Sequence, residues 1–540
     1  MEKYLIANTL SYPILSTIML IPVIGALITL FLKNDTVLKA WGLIVTIATL
    51  VVSYPLYTAF DSSTAKYQFA EVRTWFPSLN LDYVIGVDGI SVLLVLLTTF
   101  VMPLCILCSW KYIQVRMKEF IFVSLLMETA MIGVFVSLNT VLFYIFWEGM
   151  LVPMYLMIAV WGGARKDYAS IKFFLYTFVG SIFLLVAVIA LYVTTGTFFI
   201  PELMDHQYSY MYQMLVFLSF ALSFAIKMPM YPVHTWLPAA HVEAPTAGSV
   251  ILASILLKMG GYGFLRFCLP LAPSATLDMV PWVIGFSVLG IIIGGYLALA
   301  QQDIKKLIAY SSVAHMGFVT LGIFLLNSVG IKGAMLQMIN HGITTGALFI
   351  CVGLIYERTH SRQISDNSAL GMEMPIYVTF LVIFGLSSFG FPGTNSFVSE
   401  FMVLIAAFEK YPVVGGLSIL GAIMAAAYML NLLQKMVWAN SDGHAHGHGD
   451  HGDAHGDAHG AHGDAHGDHG HARHLWDCNL REIGTLSFLL FFVFWVGFNP
   501  KPLLNMMDTS VNHLLQQVET GSKAPTAKTE KLQVSQLVAK

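Results

Sequence analysis

Charged residues are scarce in this chain of 540 residues. Aspartate, glutamate, lysine and arginine make up 11% of it, whereas hydrophobic residues make up 57%, and the mean hydropathy is +0.72. A water-soluble protein of this length cannot hide so much apolar surface inside one core. The composition therefore excludes a soluble globular protein and indicates an integral membrane protein.

Cysteine is also rare, and its spacing excludes a ligand framework. Cys105 and Cys108 form a CxxC, but they lie in an apolar run, where this spacing places both thiols on one helix face. Because free cysteine is usually buried, we interpret them as packed residues. No cysteine cluster resembles an iron–sulfur ligand set, and no GxGxxG or GxxxxGK[ST] follows a strand. We therefore predict no cofactor, no metal site and no nucleic-acid partner for this chain.

Long hydrophobic runs are what the chain has in abundance. A membrane-spanning helix needs about 20 mostly apolar residues, and the chain offers about fourteen such runs. The first run lacks a basic start and a small-residue cleavage pattern, so we predict no cleaved signal peptide. The predicted fold is an all-α multi-pass membrane protein with spans near 12–32, 37–60, 84–110, 119–138, 140–161, 169–195, 211–239 (interrupted), 246–268, 280–300, 304–326, 331–356, 375–407 (interrupted), 413–438 and 483–506.

The basic residues between these spans are distributed unevenly over the two sides. One side, called the basic face below, carries Lys33, Lys39, Lys111, Arg116, Lys118, Arg165, Lys166, Lys305, Lys306, Arg358, Arg362, Arg473 and Arg481. The other side, called the lysine-poor face, carries Lys66, Arg73, Lys332 and Lys410. Because cytoplasmic connections of membrane proteins are enriched in lysine and arginine, we predict that the basic face is cytoplasmic and that both termini lie outside.

Four ionisable residues lie deep inside the predicted spans: Glu148, Lys227, Lys258 and Glu400. A charge at the bilayer centre costs about 2.5 to 3.5 kcal/mol on insertion scales, so such residues usually face the protein interior or water and mark an ion pathway. Transport is therefore the first functional hypothesis. The alternative for each residue is a structural charge or, for the glutamates, a neutral hydrogen-bond donor.

Helix breakers accompany two of these four residues. Pro229 and Pro232 follow Lys227 closely, and the sequence GFPG precedes Glu400. Proline removes a backbone donor and disfavours a straight helix, and broken helices can solvate charge at mid-membrane depth. The two breaks lie about 160 residues apart, which suggests two related bundles of about five helices each, with inverted topology.

Polar residues between these positions are consistent with a proton relay. A carboxylate stabilises a protonated lysine, so Glu148 and Lys227 are candidates for a coupled pair. His315 and His341 add imidazoles that titrate near neutral pH, although a lone helix histidine is as often a packing residue. Ser311, Ser312, Thr344 and Thr345 are candidates for holding connecting water.

Other ionisable residues in or beside the spans are weaker candidates. Glu128 is deep but has no obvious partner in the sequence. Lys172, Arg266 and Lys305 lie nearer the ends of helices, where long basic side chains usually extend to the membrane surface. Extension to the membrane surface is therefore the default interpretation of these three residues.

Several segments closely resemble the antiporter-like subunits of respiratory complex I. They are FYIFWEGMLVPMYLMIAVWGG, IKFFLYTFVGS, KMPMYPVHTWLPAAHVEAPTAGSVILASILLKMGGYGFLRF, QQDIKKLIAYSSVAHMGFV and FGLSSFGFPGTNSFVSEF. The resemblance extends from about residue 80 to residue 507. The glutamate in GFPGTNSFVSEF is similar to M-type members, whereas L-type and N-type members usually place lysine there. The chain also departs from the family, because it reads HTWLPAAH where many relatives read HTWLPDAH.

The resemblance implies a proton-translocating subunit of a bacterial NADH:quinone oxidoreductase. It assigns Glu148 and Lys227 to the coupled pair, Lys258 to the central relay, His315 and His341 to bridges, and Glu400 to the exit side. It also implies that NADH, FMN, iron–sulfur clusters and quinone bind to partner chains. The expected partners are other membrane-arm subunits, including the L-type and N-type, and membrane lipid. The expected location is the bacterial inner membrane, with both termini in the periplasm.

Two rival functions remain open at this point. A subunit of a multi-chain sodium/proton antiporter would share the same helices and lysines without using NADH. A structural membrane scaffold would use the same charges only to hold subunits together. Neighbouring reading frames that encode quinone- and NADH-module subunits would favour the oxidoreductase, whereas small antiporter subunits would favour the first rival. Unchanged pumping after Lys227→Ala would favour the scaffold.

One insertion, SDGHAHGHGDHGDAHGDAHGAHGDAHGDHGHARH, holds eleven of the 18 histidines. Its histidine, glycine and aspartate content predicts a disordered cytoplasmic loop with some affinity for zinc, nickel or copper, physiological or incidental. The predicted segments of the chain are an N-terminal three-helix segment (1–110), a first bundle (119–268), a second bundle (280–438), this histidine-rich loop (440–480), a last span (483–506) and a polar tail (507–540). The tail is too weakly apolar to be the long lateral C-terminal helix that L-type members of the family carry.

Overall fold

A computed structural model describes residues 3–438 and 475–523. The histidine-rich loop lies almost entirely outside these residues, as does the end of the polar tail. The described part is built from helices, with one small sheet. The strands are β1 (Leu5–Ala7), β2 (Tyr67–Phe76) and β3 (Leu81–Val87).

The helices follow the order of the predicted hydrophobic runs. They are α1 (Ile14–Thr29), α2 (Asp35–Ser53), α3 (Pro55–Thr58), α4 (Val92–Cys108), α5 (Met117–Val136), α6 (Thr140–Gly149), α7 (Leu151–Trp161), α8 (Lys166–Thr195), α9 (Ile200–Asp205), α10 (Tyr210–Lys227), α11 (Trp236–Glu243), α12 (Thr246–Ile251), α13 (Leu257–Gly263), α14 (Leu269–Leu271), α15 (Pro273–Leu299), α16 (Ile304–Phe324), α17 (Ser328–Thr359), α18 (Leu370–Glu373), α19 (Pro375–Ser388), α20 (Asn395–Lys410), α21 (Pro412–Leu433), α22 (Leu480–Phe498) and α23 (Lys501–Lys523). Five-residue π-helical segments at Leu252–Leu256 and Phe264–Cys268 join α12, α13 and α14 into one continuous span.

Within the described residues, 11 helices are long and apolar enough to cross a membrane, or 12 if one bent pair counts as a span. Helices α1 and α4 are apolar but shorter. The all-α membrane fold is therefore confirmed, whereas the predicted count of fourteen is not. The span α12–α14 and helix α17 are buried along their whole apolar windows, so they form the centre of the molecule.

Both predicted helix breaks are present. Helix α10 ends at Lys227, and the chain runs through a turn before α11 begins at Trp236. Helix α19 ends at Ser388, and α20 begins at Asn395. The broken helix is the fourth of five consecutive spans in each half, starting from α5 in the first half and from α15 in the second. This order is consistent with the repeat inferred from the sequence.

The lysine-poor face carries structure that hydrophobic runs did not predict. Strand β2 pairs antiparallel with β3 and parallel with β1, so the chain before α4 forms a hairpin. The predicted span 84–110 consequently begins later, at Val92. Strand β2 is buried in its first four residues and exposed over its second half, and β3 is only seven residues long, so neither gives the apolar run of helix length that predicts a span.

The predicted polar tail also contains a helix. Helix α23 runs to Lys523, and its buried residues recur every three or four positions, at Leu503, Met507, Val511, Leu514 and Val518. This spacing gives one apolar stripe on an otherwise polar helix. The helix lies across the lysine-poor face, where Lys332 Nζ contacts Asp508 Oδ1 at 2.6 Å. Because most of its residues are polar, the hydrophobic pattern predicts only a polar tail here.

A buried ion pair fastens the last span to the centre of the molecule. Arg358, near the end of α17, contacts Glu482 of α22 at 2.6 Å, and the two side chains are 1% and 4% exposed. Arg358 also donates hydrogen bonds to the carbonyl oxygens of Leu354 and Trp476. The guanidinium group is therefore fully paired away from water.

Glu482→Ala should destabilise the protein by about 3–5 kcal/mol, because it leaves a buried guanidinium group without its counter-ion. The measurement is the thermal unfolding midpoint of the purified assembly, with the exposed Glu373→Ala as control. An unchanged midpoint in Glu482→Ala would contradict the structural role of this pair.

Candidate functional site

The first helix break places Lys227 at the end of a helix inside the protein. Lys227 is the last residue of α10, and its side chain is buried. Its ammonium nitrogen lies 5.3 Å from the ring centre of Trp147 and 5.9 Å from that of Phe173. Trp236, at the start of α11, donates a hydrogen bond to the carbonyl oxygen of Ile226, which satisfies one backbone group freed by the break. The Lys227 amine is thus removed from water and held against aromatic faces, which favour a cation at this position.

Glu148 lies near Lys227 but does not contact it. Glu148 is at the end of α6, next to the Trp147 ring that faces the lysine, and it acts electrostatically on Lys227. No ion pair within 4.0 Å joins these two groups, both of which the structure describes. One carboxylate oxygen of Glu148 is buried without a hydrogen-bond partner in the described part of the chain. The structure therefore brings Glu148 and Lys227 near each other but not into direct contact.

Lys258 lies at the centre of the membrane-spanning bundle. It is in α13, about midway along the span α12–α14, and its side chain is fully buried. Its ammonium group donates a hydrogen bond to the carbonyl oxygen of Ala253, in the π-helical segment before α13. A π-helical segment shifts the backbone hydrogen bonds from the usual i,i+4 pairs to i,i+5 pairs. This shift leaves the carbonyl oxygen of Ala253 accessible to the lysine. The ammonium nitrogen also lies 2.7 Å from Nδ1 of His341 in α17.

The second broken helix brings Glu400 to His315. Nδ1 of His315 in α16 lies 2.9 Å from Oε1 of Glu400 in α20. Gln337 of α17 donates to the same oxygen at 2.8 Å, and Ser399 donates to Gln337 at 2.5 Å. All four side chains are buried. Glu400 is therefore surrounded by groups that can share or orient its proton.

The two histidines connect these halves. The ring centres of His315 and His341 are 5.6 Å apart, with the planes at 63°. The Nε2 atom of each ring is buried and has no hydrogen-bond partner among the residues that the structure describes. An imidazole can accept a proton at one nitrogen and release another proton from the opposite nitrogen. The arrangement thus gives a polar series from Lys258 through His341 and His315 to Glu400.

His241 was not identified as a candidate from the sequence. It is fully buried in α11, it stacks on Phe349 at 4.6 Å, and neither ring nitrogen has a partner within the described residues. Gln337 was also missed, because an amide carries no charge that a hydropathy pattern would reveal. His241 had a detectable signal, since it lies in the motif HTWLPAAH beside the first break.

Two assignments of basic residues to the membrane surface are wrong. Lys305 is buried, and its ammonium group donates to the carbonyl oxygen of Ala244 at 2.5 Å. Arg266 is buried against Asp88 at 2.6 Å. Both lie near helix ends, as predicted, but elements packed over those ends cover them. Lys172 remains partly exposed, as predicted, and lies over the rings of Tyr168 and Tyr176.

A cavity of about 110 Å³ opens near the basic face beside Lys305. Glu243 also lines it, and the Glu243 carboxylate accepts a hydrogen bond from the backbone N–H of Arg165 at 2.9 Å. His241, two residues before Glu243, does not line the cavity and is fully buried.

The predicted water-holding residues make mostly protein contacts. The hydroxyl groups of Ser311 and Ser312 both donate to the carbonyl oxygen of Ile308 in their own helix. Thr344 instead joins Ser387 at 2.9 Å and Asn395 at 3.1 Å, across the second break. These contacts stabilise the helices around the polar series.

Glu128 is fully buried, and both carboxylate oxygens lack a partner in the described residues.

Comparisons with known proteins identify similar chains. A family model described as NADH:quinone oxidoreductase/Mrp antiporter, TM matches residues 137–425. NADH-ubiquinone oxidoreductase chain 4 of Arabidopsis thaliana is 42% identical over 505 residues, covering 93% of this chain and 97% of that protein. NADH-quinone oxidoreductase subunit M of Rhodobacter capsulatus is 48% identical over 410 residues, covering 74% of this chain and 80% of that protein.

Solved structures show the same fold. A chain of respiratory complex I from Thermus thermophilus is 27% identical with a TM-score of 0.81, covering 94% of this chain and 99% of that chain. A chain of the Mrp complex from Dietzia sp. DQ12-45-1b is 18% identical with a TM-score of 0.75, covering 97% of this chain and 59% of that chain. The second likeness concerns the fold alone.

Proposed function

Because this chain belongs to the NADH:quinone oxidoreductase/Mrp antiporter family, and within it to the NADH-quinone oxidoreductase subunit M and chain 4 proteins, we propose how it moves protons. The chain is a multi-pass, proton-translocating membrane subunit of an NADH:quinone oxidoreductase. The observation that supports the mechanism is the buried polar series that starts at Lys258 and ends at Glu400.

Lys227 and Glu148 act as the coupled pair in this proposal. When the carboxylate approaches the ammonium group, it stabilises the protonated lysine, and when it withdraws, the lysine releases its proton more easily. The partly exposed Glu148 is the member of the pair that a neighbouring subunit can attract.

Lys258 then passes a proton to His341, with which it is in direct contact. Transfer from His341 to His315 uses their two unpaired Nε2 atoms, bridged by water. The proton finally reaches Glu400, where Gln337 holds the carboxylate in place. Each group in this series can both accept and release a proton, as a relay requires.

The partners of this chain supply the electron transfer. In this proposal NADH, FMN, iron–sulfur clusters and quinone bind to partner subunits, as the names of the oxidoreductase relatives imply. L-type and N-type antiporter-like subunits are the expected neighbours in the membrane arm. The proposed location is the bacterial inner membrane, with the basic face in the cytoplasm and both termini in the periplasm.

A sodium/proton antiporter remains the alternative function for this fold. The family model includes Mrp antiporters, and the polar series alone does not select the driving force. The names of the curated relatives favour the redox-driven complex, because they are oxidoreductase subunits over nearly the whole chain. Proton pumping that depends on electron donor and not on sodium would distinguish the two functions.

Lys227→Ala should lower proton pumping and electron transfer together by about tenfold, because the coupled pair loses its titrating amine. The measurement is proton uptake and electron transfer in the same membranes. Lys172→Ala is the matched control, since it also removes a lysine that lies over aromatic rings in a membrane span. Unchanged pumping in Lys227→Ala would favour a structural scaffold and contradict the proposal.

A further inference from the structure

A second buried charge cluster lies outside the polar series. Arg266 donates to Oδ1 of Asp88 at 2.6 Å and to the hydroxyl oxygen of Tyr67 at 2.7 Å. Its Nε donates to the hydroxyl oxygen of Tyr262 at 3.2 Å. The side chains of Arg266 and Asp88 are 4% and 5% exposed. The guanidinium group is thus held on three sides.

This cluster forms the floor of a cavity of about 380 Å³ on the lysine-poor face. The cavity, called the outer cavity below, is lined by the cluster and by charged or polar residues at its rim, namely Lys3, Lys66, Asp205, Ser510, His513 and Gln517. Such a polar space admits water. Water in the outer cavity would bring protons from the lysine-poor side to the level of Arg266.

Helix α23 covers part of this cavity and keeps its floor in place. The backbone N–H of Gly89 donates to the hydroxyl oxygen of Ser510 at 3.0 Å. A β-carbon on Gly89 would lie 2.1 Å from the carbonyl oxygen of Met506, so only glycine permits this close approach. The helix therefore seals the turn that carries Asp88.

Arg266 stands between the outer cavity and Lys258. The two residues lie eight positions apart in one continuous span, which corresponds to about 12 Å along a helix. Tyr262 lies between them, one turn from each, and its hydroxyl group donates to the carbonyl oxygen of Phe135 at 3.3 Å. Tyr262 follows Lys258 by four positions in α13, so the two side chains share a helix face, and Tyr262 accepts the hydrogen bond from Arg266 in the π-helical segment that follows. Lys258, Tyr262 and Arg266 therefore form, in this order, a column that leads from the relay to the cavity.

Proton conduction along such a column requires every group to accept a proton as well as donate one. A guanidinium group has five donors, no acceptor, and cannot be deprotonated in proteins. Arg266 points donors both towards Tyr262, on the relay side, and towards Tyr67 and Asp88, on the cavity side. The hydrogen-bond chain is therefore interrupted at this residue.

The groups on the cavity side do not bypass the interruption. Oδ1 of Asp88 also accepts hydrogen bonds from the backbone N–H groups of Ile90 and Ser91, both at 3.1 Å. Together with Arg266, these groups give Oδ1 three hydrogen-bond donors, so this oxygen is occupied and does not relay a proton. Burial raises the pKa of Tyr67, which lies in β2 outside the spans, so its hydroxyl group stays protonated.

We propose that Arg266, held by Asp88, is a proton barrier that prevents protons in the outer cavity from returning to Lys258. A fixed arginine excludes protons from other membrane pores by the same combination of charge and donor-only chemistry. The inference rests on the proposed function, because a barrier matters only if Lys258 carries the proton. It adds the reason why a relay in the same span as the residue at the floor of this polar cavity does not leak.

The test is the passive proton leak of the whole complex carrying R266Q/D88N. Removing both charges avoids leaving one buried ion unpaired, and glutamine both donates and accepts hydrogen bonds. The purified complex is reconstituted in lipid vesicles, a pH gradient is imposed without electron donor, and its decay is followed with a pH-sensitive dye and valinomycin with potassium. We expect the leak to rise about tenfold over the unmodified complex once the donor-only residue is gone.

The matched control is R358Q/E482Q, which removes another buried arginine–carboxylate pair of the same 2.6 Å separation from the opposite end of the molecule. This control should remain tight. A tight R266Q/D88N complex, or an equal leak in both double variants, would overturn the barrier. If R266Q/D88N does not assemble, the same leak is measured with R266K. A buried ammonium group can release a proton whereas guanidinium cannot, so R266K should also leak, and a tight R266K complex would overturn the barrier.

This outcome is independent of the pumping mechanism. The leak is measured without turnover, so it does not depend on whether Lys258 pumps. Retained pumping in a Lys258 variant would contradict the proposed function, whereas a tight R266Q/D88N complex would contradict only the barrier. The two failures are therefore distinguishable.

Discussion

Lys258→Met should lower proton pumping and electron transfer together by about 100-fold, the largest effect that we expect from a single substitution. Methionine matches the length and volume of the lysine side chain but cannot carry a proton. The substitution removes the only side-chain contact to Nδ1 of His341 that the described structure shows, at 2.7 Å. The relay would then be cut at its centre, with the coupled pair on one side and Glu400 on the other.

The measurement is proton uptake and electron transfer in membranes with equal amounts of assembled complex. Lys172→Met serves as the control, because it makes the same change at a partly exposed lysine of another span. A fall in pumping alone, with full electron transfer, would show a separable channel instead of a coupled relay. Full pumping by Lys258→Met would contradict the central role of this lysine.

The parts of the site that the sequence predicted are those with a local chemical signal. Lys227 and Glu400 are each close to proline or glycine residues that break a helix, and both breaks are present in the structure. Lys258 interrupts an apolar run, and its cost in the membrane marks it without any knowledge of its partners. Each of these signals depends on a few neighbouring residues only, so it can be detected without knowing the tertiary structure.

The contacts between these residues were not predictable, because they join distant positions. His341 lies 83 residues after Lys258, and Glu400 lies 85 residues after His315. Their proximity depends on how α13, α16, α17 and α20 pack, which no local pattern specifies. Gln337 adds a further case, because it binds Glu400 but carries no charge.

The same reason explains the error at Arg266. Its position near a helix end favours a side chain that extends to the surface. Asp88, which pairs with it, lies 178 residues earlier and follows a strand that the hydrophobic pattern did not reveal. Helix α23 then covers this end of the molecule with residues that the sequence analysis placed in a polar tail. A charge can thus be buried by elements that are themselves weakly apolar.

Glu400→Gln should lower proton pumping and electron transfer by about 30-fold, because it removes the only carboxylate in contact with His315 among the described residues. Glutamine keeps the shape of the side chain and its contact with Gln337, so the fold around the second break should persist. What is lost is the ability to take a proton from the imidazole. The measurement is the same pair of assays on assembled complex.

Glu409→Gln provides the matched control, since it makes the same change on the same helix at an exposed position. We expect that variant to pump at the rate of the unmodified complex. Glu400→Asp adds a further comparison, because it keeps the carboxylate but shortens its reach to His315, which should restore part of the activity. Equal loss in Glu400→Gln and Glu400→Asp would indicate that packing and not proton transfer is what position 400 supplies. Recovery with aspartate alone would show that the relay needs a titrating group there.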